Sequence, residues 1–109
     1  MPPTSTDAWV IVAYSDTDDR FDLTLFDALL DTEVAADAAL SEAGIGRIDG
    51  NEIGANAYEI FFVGVDAEKM WDVLEPVFAD APAPWSSVDL RDGFDDPDPV
   101  VIVNRDSAD

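Results

Sequence analysis

The stretch that decides the fold is residues 45–79, IGRIDGNEIGANAYEIFFVGVDAEKMWDVLEPVFA. Its centre, Ala57–Val65, is an aromatic and β-branched run, which predicts a buried strand. The weakly alternating segment before it, Ile45–Gly54, predicts the other strand of a hairpin. We expect the residues Asp49-Gly50-Asn51 to form a tight turn between strand segments, because Asp, Gly and Asn are typical turn residues.

A helix follows this hairpin. Asp66 is a good N-cap for it, and the apolar residues from Ala67 to about Ala79 recur at helical spacing. Pro76 has no backbone N–H and is expected to kink this helix or to end it early. We expect four side chains of the helix to face the sheet: Met70, Val73, Leu74 and Val77.

Further elements are predicted before and after this stretch. Before it, the sequence predicts a strand buried on both faces at Ala8–Tyr14 and a helix over residues 22–43 that stops at Gly44. After it, the sequence predicts short strands at Ser87–Arg91 and Val100–Val103. The order is that of an α+β fold, a ferredoxin-like βαββαβ plait with a four-stranded antiparallel sheet, both helices on one face and a short extra C-terminal strand. We expect a single domain over residues 1–109, with residues 1–6 and 104–109 frayed.

The first helix is predicted to be amphipathic. At 100° per residue one side carries the apolar residues expected to face the sheet, and the other side carries carboxylates. The apolar side comprises Leu25, Phe26, Leu29, Ala36 and Leu40, and the acidic side comprises Asp27, Asp31, Glu33, Asp37 and Glu42.

The uncovered face of such a sheet raises the question of oligomerisation. The two best strands are apolar on both faces, which would leave Trp9 and Phe61 in an exposed apolar patch. A homodimer through this open sheet face is one solution, and coverage by the C-terminal strand and loops within one chain is the other.

Composition excludes several classes of function. The chain has 25 acidic residues, 5 basic residues and a formal charge of -20, so it repels nucleic acids and anionic membranes, whose binding requires Lys and Arg. With no Cys and no His, it lacks the usual general base, the Ser-His pair and the commonest zinc ligands. We expect a cytoplasmic protein, since the apolar run after the N-terminus is too short for a signal peptide or a membrane span.

No catalytic, cofactor-binding or metal-binding residue is predicted. Asp16, Asp18 and Asp22 are clustered, but their spacing does not match a calcium-binding EF-hand loop, and the Gly44-Ile45-Gly46 segment lacks a dinucleotide fingerprint. Paired carboxylates could hydrolyse a glycoside, but the sequence singles out no pair among so many acids. We therefore expect a protein that is not an enzyme and needs no cofactor.

Two segments are candidates for binding a basic protein partner. One is the proline-stiffened acidic loop that carries Asp92, Asp95, Asp96 and Asp98. The other is an apolar pair on the first helix, Leu30 and Val34, with Asp27 and Asp31 around it, which is the layout of a contact patch with a charged rim.

A resemblance adds to this interpretation over residues 44–79. The pattern Gly46-x-x-Asp49-Gly50-Asn51-Glu52-x-Gly54, the strand Tyr58–Gly64, Asp66-Ala67 and the helix end Glu75-Pro76-Val77-Phe78 resemble a group of small, mostly uncharacterised bacterial plait domains. Some neighbours of that group act as immunity proteins. The resemblance implies the plait fold and no catalytic residue.

Three functional hypotheses remain open. The first is an immunity or inhibitor protein that blocks a basic partner by electrostatic complementarity. The second is salt adaptation, because 19 Asp against 6 Glu and four Arg against one Lys are typical of a salt-loving or GC-rich organism. The third is a nucleic-acid mimic that occupies a DNA-binding protein.

Overall fold

The strands and helices follow the predicted order. The computed structural model describes residues 8–15, 23–53, 57–81, 85–93 and 97–103, so the predicted fraying of residues 1–6 and 104–109 lies outside the described residues. The elements are β1 (Ala8–Ser15), α1 (Leu23–Ala43), β2 (Gly46–Ile53), β3 (Ala57–Gly64), α2 (Ala67–Ala79), β4 (Ser87–Arg91) and β5 (Val100–Val103).

The sheet has five strands in the order β2-β3-β1-β4-β5, and all neighbouring pairs are antiparallel. The predicted antiparallel sheet is confirmed, and the predicted short extra C-terminal strand is its fifth strand. The fifth strand, β5, pairs with the edge of β4 and extends the sheet. It does not lie over the open face, which was one of the two expected ways of covering that face. The architecture is an α+β open sheet with two helices, compatible with a plait.

One face of the sheet forms the core with both helices. Alternate residues of β1, β3 and β4 point to this face, because side chains along a strand alternate between its two sides. They form one buried cluster with α1 and α2: Ala8, Val10, Val12, Tyr14, Tyr58, Ile60, Phe62, Val88, Leu90, Leu29, Ala36, Leu40, Ala67, Met70, Trp71, Leu74 and Phe78. The prediction for Leu29, Leu40, Met70 and Leu74 is confirmed, and the side chain of Leu25 lies outside the described residues.

Helix α2 begins as predicted and continues further than Pro76 suggested. Asp66 is its N-cap, and its carboxylate accepts the Lys69 backbone N–H at 3.0 Å. Pro76 lies inside the helix, which continues to Ala79. The helix therefore ends where its apolar spacing predicted and not early at Pro76. Burial of Phe78 against Phe62 stabilises the last turn, and their ring centroids are 6.0 Å apart in an edge-to-face contact.

The residues Asp49-Gly50-Asn51 do not form the expected tight turn. They lie within β2, where the pairing register with β3 shifts between Ile48 and Gly50. This irregularity is a β-bulge, which places an extra residue in one strand and bends it. Gly50 has a φ of 155°, a backbone conformation that side-chain-bearing residues rarely adopt. The same turn-forming residues therefore serve a bulge instead of a turn.

A close backbone approach joins the start of β2 to the end of β3. Gly46 pairs with Gly64, and a Cβ at Gly64 would lie 2.1 Å from the Ile45 carbonyl oxygen and 2.6 Å from the Met70 sulfur. Because neither glycine has a side chain, helix α2 can place Met70 directly on this crossing.

No helix in the described part of the chain is both long and apolar enough to cross a membrane.

Candidate functional site

The α1 patch, which we define as Asp27, Leu30, Asp31 and Val34, is on the surface as predicted. All four side chains are exposed, with Leu30 at 49% and Val34 at 70%. Leu30 and Val34 are four residues apart, as are Asp27 and Asp31, so each pair is adjacent along the helix. The fold therefore leaves an apolar pair in solvent beside two carboxylates.

The acidic loop lies elsewhere on the molecule. Asp92 and Asp98 are exposed, and Asp95 and Asp96 lie outside the described residues. The loop follows Arg91, which pairs with Trp9 near the start of β1. Glu33, in the middle of α1, contacts Tyr58, and Tyr58 pairs with Tyr14 near the end of β1. This part of α1 therefore lies towards the end of the sheet opposite to the start of the acidic loop.

The two predicted segments also lie at opposite edges of the sheet. Helix α1 packs against β2 and α2, whereas the acidic loop joins β4 to β5 at the far edge. The structure therefore places the α1 patch and the two described acids of the loop, Asp92 and Asp98, at different corners of the sheet.

The open face of the sheet, opposite the helices, combines apolar and charged residues. It carries the residues of β1, β3 and β4 that alternate with the core residues: Trp9, Ile11, Ala13, Glu59, Phe61, Val63, Ser87, Asp89 and Arg91. Ile11 and Val63 are buried, whereas Trp9 and Phe61 are half-buried. The apolar patch available to a second copy is therefore smaller than the sequence suggested, and homodimerisation through this face stays a prediction.

The bulge in β2 opens a groove on this face. The groove has a volume of about 500 Å³ and is lined by Trp9, Phe61, Asp49, Gly50, Asn51 and Glu52. Gly50 pairs with Phe61, and a Cβ placed on Gly50 would meet no atom within 4 Å. The missing side chain at Gly50 thus leaves space beside an aromatic ring, and we call this site the Gly50 groove.

The rim of the Gly50 groove is acidic. Asp49 is 3.7 Å from the Arg47 guanidinium, and both side chains are well exposed, so this ion pair is weak. Among the residues that the structure describes, none forms a hydrogen bond or an ion pair with the Glu52 carboxylate. An incoming cation would therefore meet two carboxylates at the rim, of which one is unpaired and the other loosely paired.

Glu33 was expected on the solvent side of α1, and this prediction was wrong. It is only 5% exposed, and its two carboxylate oxygens accept hydrogen bonds from the Tyr58 hydroxyl and, at 2.9 Å, from the Asn51 side-chain amide. These two donors compensate for the burial of a charge. Asn51 also lines the Gly50 groove, so this network joins α1 to the rim of the groove.

Two tyrosines surround the buried carboxylate. Burial raises the pKa of the Tyr58 hydroxyl, and its hydrogen bond to the negatively charged Glu33 raises that pKa further. Burial and the charge of Glu33 also raise the pKa of Tyr14, whose hydroxyl is buried and has no hydrogen-bond partner among the described residues. Both hydroxyls are held in the protonated form, and the Tyr58 hydroxyl is thereby kept as a donor to Glu33.

The described residues offer little metal-binding chemistry. Among them, no group of three or more Asp and Glu side chains is placed to hold a metal ion. The sequence cluster Asp16, Asp18 and Asp22 lies outside the described residues.

Sequence reasoning identified the α1 patch but missed both the Gly50 groove and the Glu33 network. The only sequence signal for the groove was Asp49-Gly50-Asn51, which is equally compatible with a turn.

No family model, curated protein or solved structure matches the chain.

Charge repulsion gives the first testable prediction. At a formal charge of -20, self-repulsion opposes the compact state, and salt screens it with a Debye length of about 10 Å at 0.1 M. We expect the Tm to rise with NaCl, and a gain of about 1 kcal/mol would raise it by roughly 4 to 8 °C. Differential scanning calorimetry over a NaCl series measures this, and a flat or falling Tm would contradict a large repulsive contribution.

Proposed function

We propose that this chain is a non-enzymatic binding domain that engages a basic protein partner through the α1 patch, as an inhibitor or immunity protein would. The observation that carries the proposal is the exposure of Leu30 and Val34 among carboxylates. Exposed apolar groups inside a polar rim are the usual anatomy of a protein-binding surface.

The proposal includes a ferredoxin-like plait as the scaffold. The order β2-β3-β1-β4 and the packing of both helices in one core cluster support this topology, because a split βαβ arrangement places the first and third strands in the centre. Strand β5 is then an addition at the β4 edge. In this scaffold α1 is the helix above the β2 edge, with its outer side open to a partner.

The charge distribution supports a basic partner. No Lys or Arg occurs between Leu23 and Ala43, so the whole of α1 presents only negative charge. The three described basic residues, Arg47, Lys69 and Arg91, lie in β2, α2 and β4. A basic surface approaching α1 would therefore meet no cation on this helix. Such electrostatic complementarity speeds association and excludes wrong partners.

A pair of matched double variants tests this proposal. We expect Asp27→Asn/Asp31→Asn to reduce the association rate with a basic protein by about tenfold, because rim charges act mainly on the rate of encounter. The control, Glu68→Gln/Asp72→Asn, removes the same charge at the same four-residue spacing on the exposed side of α2. The measurement is surface-based binding kinetics against a panel of purified small basic nucleases and protein toxins.

The comparison separates binding from salt adaptation. A selective loss in the α1 variant, with an unchanged control, supports the α1 patch as the binding surface. An equal loss in both variants, or no saturable binding to any basic protein in the panel, contradicts the proposal. Equal losses would mean that charge acts only through the overall field, as the salt-adaptation hypothesis requires.

A further inference from the structure

The Gly50 groove has a composition that the α1 patch lacks. Two aromatic rings, Trp9 and Phe61, line it, and the carboxylates of Asp49 and Glu52 stand at its rim. Aromatic rings attract cations through their electron-rich faces, and carboxylates pair with cations directly. These two kinds of group together select a cation that also has apolar or planar surface.

We propose that the Gly50 groove binds the guanidinium group of an arginine side chain presented by the basic partner. The inference rests on the proposed function, since it takes the arginine from that partner. Guanidinium fits better than ammonium for two reasons. It is planar and stacks on aromatic rings, and its fork of N–H donors matches a carboxylate.

The position of the groove connects it to the α1 patch. Asn51 lines the groove and donates a hydrogen bond to Glu33 on α1. Glu33 is followed directly by Val34, which belongs to the exposed apolar pair. The two surfaces therefore lie on either side of the same edge strand, β2, and one partner could contact both by reaching around this edge.

The groove is available for a cation because its own ion pair is easily replaced. The Arg47–Asp49 pair spans 3.7 Å at the surface, and exposed pairs of this kind contribute little. An arginine from the partner would pair with Glu52 directly and would compete with Arg47 for Asp49. No rearrangement of the core is required.

The test uses the whole protein and short peptides as probes, so that it does not depend on a natural partner. Three blocked peptides, identical except for a central Arg, Lys or citrulline, are titrated into ¹⁵N-labelled protein at constant ionic strength. Citrulline keeps the shape of arginine and lacks its charge. We expect the Trp9 indole and the Gly50 and Glu52 amide signals to shift with the Arg peptide, less with the Lys peptide and not with the citrulline peptide.

Two variants identify the groups responsible. Glu52→Gln should weaken Arg-peptide binding by about threefold, as expected for an exposed charge pair, whereas the control Glu75→Gln, an exposed Glu on α2, should not. Phe61→Leu should reduce the preference for Arg over Lys. Because Phe61→Leu could disturb the sheet, the Glu52→Gln result decides independently.

Failure of this inference is distinguishable from failure of the proposed function. Equal shifts with Arg and citrulline, or equal weakening by Glu52→Gln and Glu75→Gln, would overturn the arginine site. If a basic protein in the panel still binds through the α1 patch, the proposed function survives that result. Conversely, shifts confined to the groove, with Arg-peptide binding weakened in Glu52→Gln and unchanged in Glu75→Gln, support the arginine site even if the α1 variant binds normally.

Discussion

Replacing Gly64 with alanine should destabilise the protein by at least about 3 kcal/mol or prevent folding, which is the upper end of what overpacking costs. The added Cβ would lie 2.1 Å from the Ile45 carbonyl oxygen and 2.8 Å from the Gly46 Cα. Both are backbone atoms that cannot move without breaking the β2–β3 pairing. Urea unfolding followed by circular dichroism measures the change.

The matched control is Gly93→Ala, because a Cβ on Gly93 would meet no atom within 4 Å. We expect its free energy of unfolding to stay within about 0.5 kcal/mol of the parent, as for most surface substitutions. Comparable stabilities for the two variants would show that β2 and β3 do not approach each other at Gly46 and Gly64 as described.

Replacing Glu33 with leucine should reduce the free energy of unfolding by about 3 kcal/mol, because the change removes a charged acceptor from the buried Tyr58 hydroxyl. The Tyr58 hydroxyl would lose its bond to Glu33, and the Asn51 amide would turn to solvent. The sequence pattern predicted an exposed Glu33 on the acidic side of the helix. If it were exposed, replacing it would leave the free energy of unfolding almost unchanged or raise it slightly, because charge repulsion would decrease.

A double-variant cycle checks the mechanism. In Glu33→Leu/Tyr58→Phe both polar partners are removed, and replacing both members of a hydrogen-bonded pair costs less than stranding one. We expect the double variant to recover at least about 1 kcal/mol relative to Glu33→Leu. Additive losses in the two single variants would rule out a direct Glu33–Tyr58 bond, and Asp31→Leu, at an exposed position of the same helix, is the control for loss of charge.

The element order was predictable from local sequence because each element has its own periodicity and ends at a residue with a physical reason to end it. The aromatic and β-branched run Ala57–Val65, the N-cap Asp66 and the stop at Gly44 are local signals, and the structure has a strand, a helix start and a helix end at these places. Burial of Leu29 and exposure of Leu30 also follow from helical spacing. The α1 patch could therefore be identified before the fold was known.

Periodicity placed Glu33 and Asp37 wrongly for one reason. Both were predicted on the solvent side of α1, yet Glu33 is buried and Asp37 accepts the Ile48 backbone N–H at 2.9 Å. A helix packed over the β2 edge has a sheet neighbour on part of its polar side, and a single-helix projection does not include that neighbour. Polar residues at such a boundary bind the backbone and side chains of the next strand.

The sequence by itself determined the α+β class, the element order, the excess of negative charge and the absence of Cys and His chemistry, since these depend on composition and short-range spacing. Tertiary structure alone decided that Asp49-Gly50-Asn51 forms a bulge, that Gly50 opens a groove beside Phe61, and that the α1 patch lies at a different corner from Asp92 and Asp98. The physical reason is that register and strand order arise from long-range pairing, which brings together residues far apart in the chain and has no signature in the local pattern.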